Sequence, residues 1–257
     1  MAMCDAEHIR RARSFGAVAD VYERSRPGYP PEAVRWVLEL APGPEVVDLA
    51  AGTGKLARAA RAAGATVTAV EPLGEMRAQL ARALPDVTAV AGTAEDIPLP
   101  DQGFDAVLVG QAFHWFDRGR ALDEIVRVLR PGGVVGLLWN VRDDRVGWVA
   151  DLMEVAPGGD TVSGFAATDD ELAHPALGPA ERRAVPNPTP FDRERLLEWA
   201  SSTSAISTLP PDERDARLAQ IGELALTHPQ LRGQQTFDMP FVTMTVRAPR
   251  TGHVPLA

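Results

Sequence analysis

The stretch Val46-Val47-Asp48-Leu49-Ala50-Ala51-Gly52-Thr53-Gly54-Lys55-Leu56 decides the fold. An apolar, β-branched run at 46–50 reaches two glycines, and a helical period begins at once. Leu56, Ala59, Ala60 and Ala63 fall at i, i+3, i+4 and i+7, with Gly64 as the stop. Glycine permits the tight turn and lets a ligand approach the backbone, and the first N–H groups of a helix have no partner within it. Strand, glycine turn and helix start together form a cradle for a polar ligand.

The same rhythm continues on either side. Short apolar runs at 66–70, 87–91, 106–110 and 134–139 have the length of buried strands, and their near-continuous apolarity suits a parallel sheet covered on both faces. Helical stripes separate them: Met76, Leu80, Ala83 and Leu84, then Leu122, Ile125, Val126 and Leu129, ended by Pro131-Gly132-Gly133. A further helix precedes the first strand, with Val34, Val37, Leu38 and Ala41 between Pro30-Pro31 and Pro42-Gly43. This alternation predicts a doubly wound, Rossmann-like α/β fold with right-handed crossovers. After Val141 the rhythm breaks, and 142–190 reads as loops. Helices are expected near 193–200 and 212–226, and a late strand at 241–246, antiparallel at the sheet edge. One domain over 1–247 is expected, with a core sheet at 45–141, substrate-side insertions at 142–208 and a loose tail at 248–257.

Composition bounds the function. The chain has 257 residues, 45% of them hydrophobic and 24% charged, in the range of ordinary globular domains. A net charge of −9 disfavours binding to nucleic-acid backbones. No apolar run is long enough for a membrane helix, and 1–13 lacks the core of a secretory signal. Cys4, the single cysteine, permits neither an internal disulfide nor a cysteine metal cluster, so a cytoplasmic protein without a metal site is expected.

Nineteen residues after Gly52 the second strand ends in Glu71-Pro72. A carboxylate at that tip is placed to accept both ribose hydroxyls of a nucleoside. A Walker loop is excluded, because the spacing to Lys55 is wrong and Leu56 stands where Ser or Thr would hold magnesium. Gly52-x-Gly54-x-x-Ala57 fits one form of the dinucleotide fingerprint, which keeps an NAD(P)-binding reductase as the alternative reading. Asp48 argues against it: a pyrophosphate disfavours a nearby carboxylate, whereas an amino-acid tail and a sulfonium both carry positive charge.

Four motifs in order then complete a resemblance. Residues 46–57 look like motif I of the class I S-adenosylmethionine (SAM)-dependent methyltransferases, and Thr68-Ala69-Val70-Glu71-Pro72 resembles the acidic motif that follows it. Gly92-Thr93-Ala94-Glu95-Asp96-Ile97-Pro98 is similar to the adenine loop, and Arg127-Val128-Leu129-Arg130-Pro131-Gly132-Gly133 to the turn before strand five. Tyr22-Glu23-Arg24-Ser25-Arg26-Pro27-Gly28-Tyr29-Pro30, Gln111-Ala112-Phe113-His114-Trp115-Phe116 and Ser202-Thr203-Ser204 extend the resemblance to the trans-aconitate methyltransferase-like branch of methyltransferase type 11. The chain departs from that pattern at Ala50 (often glycine), Thr93 (usually aspartate) and Ala205 (often aromatic).

The resemblance implies a seven-stranded, mostly parallel sheet with an antiparallel last strand, and methyl transfer from SAM to a small molecule, at a carboxylate or hydroxyl oxygen. It implies cofactor contacts at Asp48, Ala50, Gly52, Gly54, Glu71, Pro72, Met76, Ala94, Glu95 and Gln111. Met76 as plain core filler is an equal reading. His114 is the candidate base, with a bland surface histidine as the alternative. Tyr22, Arg26, Tyr29, Trp115, Trp139 and Asn140 are candidate acceptor contacts. Arg26 between the chain's only two tyrosines suits a carboxylate, or else an N-terminal lid packed on the sheet. A SAM-binding protein without catalysis is the third reading.

Overall fold

The computed structural model describes residues 25–157, 159–165 and 171–251. Seven strands form one sheet in the order β3-β2-β1-β4-β5-β7-β6. They are β1 (Glu45–Leu49), β2 (Thr66–Val70), β3 (Thr88–Val90), β4 (Phe104–Gly110), β5 (Leu129–Arg142), β6 (Glu181–Phe191) and β7 (Phe237–Pro249). The first five run parallel, whereas β7 is antiparallel to both β5 and β6. The helices are α1 (Pro31–Leu38), α2 (Lys55–Ala62), α3 (Gly74–Ala83), α4 (Arg118–Val128), α5 (Gly147–Val155), α6 (Arg193–Ser201), the single turn α7 (Ser204–Ser207) and α8 (Pro211–Thr227).

Alternation along the central strands sorts their side chains onto the two faces. Val46, Ala106, Leu108, Val134 and Leu138 pack with α1, α2 and Leu80 of α3. Val47, Leu49, Val107, Val109, Val135 and Leu137 pack with Leu122 and Ile125 of α4 on the opposite face. A third cluster joins α5, α6 and α8 to Phe191, Phe237, Met239 and Phe241, at the ends of β6 and β7. This helical cap overhangs one side of the sheet. Among the described residues no helix is long and apolar enough to cross a membrane.

Three expectations are corrected. The 142–190 region is not all loop: it holds α5, whose buried Trp148, Val149 and Leu152 have helical spacing, and β6. Pro186, Pro188 and Pro190 make β6 read as a loop, yet alternating prolines are tolerated on a strand with one free edge. The late strand is longer than expected and lies inside the sheet, between β5 and β6, rather than at its edge. It runs through Ala248 and Pro249, where the tail was expected to begin.

Asp105 shows how the sheet is fastened on the side away from the glycine turn. Its carboxylate is buried, accepts the Glu45 N–H at 3.0 Å and pairs with Arg130 at 2.7 Å, linking β1, β4 and β5. Arg130 is partly exposed and can rehydrate when the pair is broken. Asp105→Ala is therefore expected to cost about 2 kcal/mol, which thermal unfolding reads as a drop of roughly 4–8 °C; an unchanged Tm removes Asp105 from the framework.

Candidate functional site

Parallel strands all point their carboxyl ends the same way, and from β1 the sheet is built outward through β2 and β3 on one side and through β4 and β5 on the other. The crevice at such a switch point is where open α/β sheets bind ligands. Here it is a cavity of about 670 Å³, bounded by the β1 and β2 tips, the loop after β3, the segment after β4, Arg26 to Tyr29 and the helical cap.

The glycine turn is built by two carboxylates. Gly54 is the N-cap of α2, in the left-handed region at φ 89°, and supplies no side chain to cap the helix. Asp48 does so from the strand: its Oδ2 accepts the Ala57 N–H at 2.8 Å. Glu71, 5% exposed, accepts the Gly52 N–H on Oε2 and the Leu73 N–H on Oε1, both at 2.9 Å. A carboxylate has about four acceptor positions, so each Glu71 oxygen keeps one for a hydroxyl. Both acids line the cavity. Burial raises the Glu71 pKa, against the Leu73 and Gly52 amides and Arg77. Burial pushes Asp48 up to about 8, opposed by the Ala57 amide and assisted by the charge of Glu71. A positive charge placed beside these acids favours their ionised forms, so this half of the cavity suits a cationic group joined to a ribose.

Ala50 takes a left-handed φ of 57° and Gln111 one of 58°. Non-glycine residues adopt this region at a cost of about 1–2 kcal/mol. Both lie on the cavity wall, where strained backbone commonly marks function. Gln111 is fixed by donating Nε2 to the Asn140 carbonyl at 3.0 Å. Asn140 in turn donates to the Gly28 carbonyl and accepts from Asn187 and Thr243, which seats the segment before α1 on the sheet. The loop after β3 is latched by α4: Glu124 accepts the Ile97 N–H, while Arg127 donates to the Ile97 and Leu99 carbonyls.

Most expected residues converge. Asp48, Ala50, Gly52, Glu71, Pro72, Met76, Ala94, Glu95, Gln111, Arg26, Tyr29, His114, Trp115 and Asn140 all line the cavity. Gly54 does not; it turns the chain against Leu80 and Leu84, which a Cβ there would meet at 3.0 Å. Trp139 does not either, because it faces the core, packed on Phe165 at 5.4 Å between centroids. Tyr22 lies outside the described residues. His114 and Trp115 are exposed at the rim, their rings 4.7 Å apart.

Sequence reading missed Trp199 and Phe241, which the cap and β7 bring to the wall, and the Gly159-Asp160 segment. No local motif marks them, since they meet the cavity only through the cap. Arg142, at the end of β5, is buried there as well.

The Asp48 carboxyl binds its proton more readily in the folded chain than in the unfolded one. Its stabilising contribution is fully present below the ordinary carboxylate range and is lost as pH rises through about 8. Asp48→Asn keeps an oxygen for the Ala57 N–H and removes that titration. The Tm of the variant should therefore gain on the wild type between about pH 5 and 8.5 in thermal unfolding series; parallel pH profiles would contradict this assignment.

Comparison with known proteins gives the same answer. The methyltransferase domain family matches residues 47–137. An uncharacterized methyltransferase of Mycobacterium tuberculosis is 43% identical over 237 residues, covering 91% of this chain and 95% of the relative. Another, from Schizosaccharomyces pombe, is 34% identical over 241 residues, covering 91% and 95%. A solved structure from Anaeromyxobacter dehalogenans, provisionally assigned as a type II methyltransferase, aligns with a TM-score of 0.66 at 26% identity, covering 89% of this chain and 99% of that one. SAM is the cofactor of this family, and the dinucleotide reading of the glycine turn is not favoured. The chain belongs to the class I SAM-dependent methyltransferases.

Proposed function

We propose that this enzyme methylates an oxygen atom of a small-molecule acceptor. The distribution of polar groups around the cavity carries the reading. Asp48, Glu71 and Glu95 lie on the cofactor side. Beyond Gln111 the wall carries two guanidinium groups, Arg26 and Arg142, with Asp160 the single carboxylate among the described residues there. Donors receive oxygens; an amine acceptor asks for acceptors instead. A volume of about 670 Å³ lies in the range of small-molecule sites.

When bound, SAM supplies a methyl carbon on a sulfonium, open to in-line displacement. The chain's part is to hold the acceptor oxygen in line and keep water out. Arg26 is held for this by Ser202, donating Nε to its Oγ at 3.2 Å and Nη2 to its carbonyl at 3.0 Å. An ionised carboxylate needs no base. A hydroxyl does, and His114 at the rim is the group to take its proton.

Labelled methyl groups from SAM are expected in the small-molecule fraction on oxygen, with esters identified by release of methanol in base; label confined to nitrogen or carbon would overturn the reading. His114→Ala should slow a hydroxyl acceptor by roughly a hundredfold or more and leave a carboxylate acceptor little changed. Glu71→Ala should weaken S-adenosylhomocysteine by about 1–3 kcal/mol, a rise in Kd of roughly 5- to 150-fold by titration calorimetry. An unchanged Kd removes Glu71 from the cofactor site.

A further inference from the structure

We propose that Glu124 and Arg127, two side chains of α4 that do not line the cavity, are positioning residues that set how selectively the enzyme holds the base of its cofactor. The inference rests on the reading of Glu71 as the acceptor of the ribose hydroxyls, and the experiment keeps the two apart.

In a nucleoside thioether the ribose lies between the base and the sulfur. With the ribose at the β2 tip, the sulfur lies toward β1 and β4, on the side of Asp48 and Gln111, and the base lies toward β3. The cavity wall there is Gly92, Thr93, Ala94 and Glu95, early in the connection from β3 to β4. Ala94 offers a base edge only main-chain groups, whose value depends on where the connection holds them.

That connection has little to hold it from within. β3 is three residues long, at the sheet edge, and no helix stands between it and β4. The Thr93 N–H donates to the Asp96 carbonyl at 3.3 Å, and the Leu99 N–H to the Ile97 carbonyl at 2.8 Å. The stronger ties come from α4. Glu124 and Arg127 meet in a fork, Nε on Oε1 and Nη2 on Oε2, both at 2.7 Å. The fork closes on both main-chain groups of Ile97: Glu124 Oε2 accepts its N–H and Arg127 Nη2 donates to its carbonyl, again at 2.7 Å. Arg127 Nη1 donates onward to the Leu99 carbonyl at 2.9 Å and to Asp101 at 2.6 Å. Ahead of α4 the Asp117 N–H donates to Glu95 at 2.9 Å, so the helix grips the connection at both ends.

Pro98 carries this grip to the cavity. A Cβ on Gly92 would stand 2.4 Å from Pro98 Cδ, so the ring next to Ile97 rests on the glycine that opens the wall. A shift of Ile97 therefore moves Gly92 and the groups after it. The side chains of Arg127 and Glu124 keep 31% and 21% of their surface in solvent, and partly solvated ion pairs add little to folding stability. Bidentate, charge-assisted hydrogen bonds fix direction instead, and a binding group works only as well as its support holds it. The Arg127 guanidinium also holds the Glu124 carboxyl below its usual range, against a smaller effect of burial, so the fork stays closed at neutral pH.

Two ligands that differ only in the base provide the test: S-adenosylhomocysteine, and S-inosylhomocysteine, whose exocyclic amine is replaced by a carbonyl oxygen. Titration calorimetry on the wild type should show a tenfold or greater preference for the first. Arg127→Lys keeps the charge and loses the fork. It should weaken S-adenosylhomocysteine about tenfold and move S-inosylhomocysteine less than twofold, so that the preference collapses. Glu124→Gln, which keeps an acceptor for the Ile97 N–H but not the charge, should narrow the preference as well, and it decides the matter if Arg127→Lys does not fold. A merely structural pair would lower Tm and leave the preference intact; that result would overturn the proposal. So would equal weakening of both ligands, or a wild type that binds them equally. Glu71→Ala tests the reading underneath and should weaken both ligands alike. If it does so while the α4 variants keep the preference, only the present proposal fails; if it leaves both Kd values unchanged, the placing of the ribose falls and the proposal with it.

Discussion

Two backbone N–H groups, from Gly52 and Leu73, donate to the two oxygens of one buried carboxylate, Glu71. Through that side chain the glycine turn after β1 and the start of α3 after β2 hold a common geometry. Asp48 does the complementary task one strand away, tying β1 to the first turn of α2. Neither acid is placed for stability alone, since burial raises both pKa values. The fold accepts that cost on the wall of the cavity, where a positive charge beside the two acids would recover it. Remove Glu71 and the two loops lose their shared anchor.

The other half of the cavity obeys a different electrostatic rule. Its wall is assembled from the segment before α1, the end of β5, the first part of β7 and the helical cap, and it carries the guanidinium groups of Arg26 and Arg142. Asn140 couples this half to the first, holding Gln111 through its carbonyl and Gly28 through its side chain. The boundary between the two halves of the cavity is therefore a hydrogen-bonded seam built on Gln111 and Asn140. Methyl transfer by positioning requires such rigidity, because a neutral sulfide leaves readily and alignment is what the protein adds.

How much of this could be read beforehand depended on distance along the chain. Motifs whose contacts are local were legible: Asp48 to Ala57 and Gly52 to Glu71 lie within one strand–helix–strand unit, and the apolar periods reveal that unit directly. Trp199 and Phe241 were not, because they reach the cavity only when the cap folds onto β6 and β7, a pairing that leaves no periodic trace near either residue. Trp139 was misplaced for a simpler reason. Strand alternation sends it to the core face while Asn140 turns to the cavity, so a motif read as one block must be split by the pleat. In α5 the helical signal of Trp148, Val149 and Leu152 was present but masked by the Gly, Pro and Asp around it.

The alternating prolines of β6 carry one last consequence. Residues two apart in a strand direct their main-chain groups to the same side, and Pro186, Pro188 and Pro190 pair in register with Val242, Pro240 and Asp238 of β7. A proline facing β7 would cost the ladder a donor at every second residue, so the ring nitrogens belong on the outer border. That border offers carbonyls and no complementary N–H along its final third. An incoming chain finds nothing there to hydrogen-bond its own carbonyls, and the sheet cannot lengthen by recruiting a neighbour. Along this stretch the β6 margin of the seven-stranded sheet is thus closed by the chemistry of three imino acids.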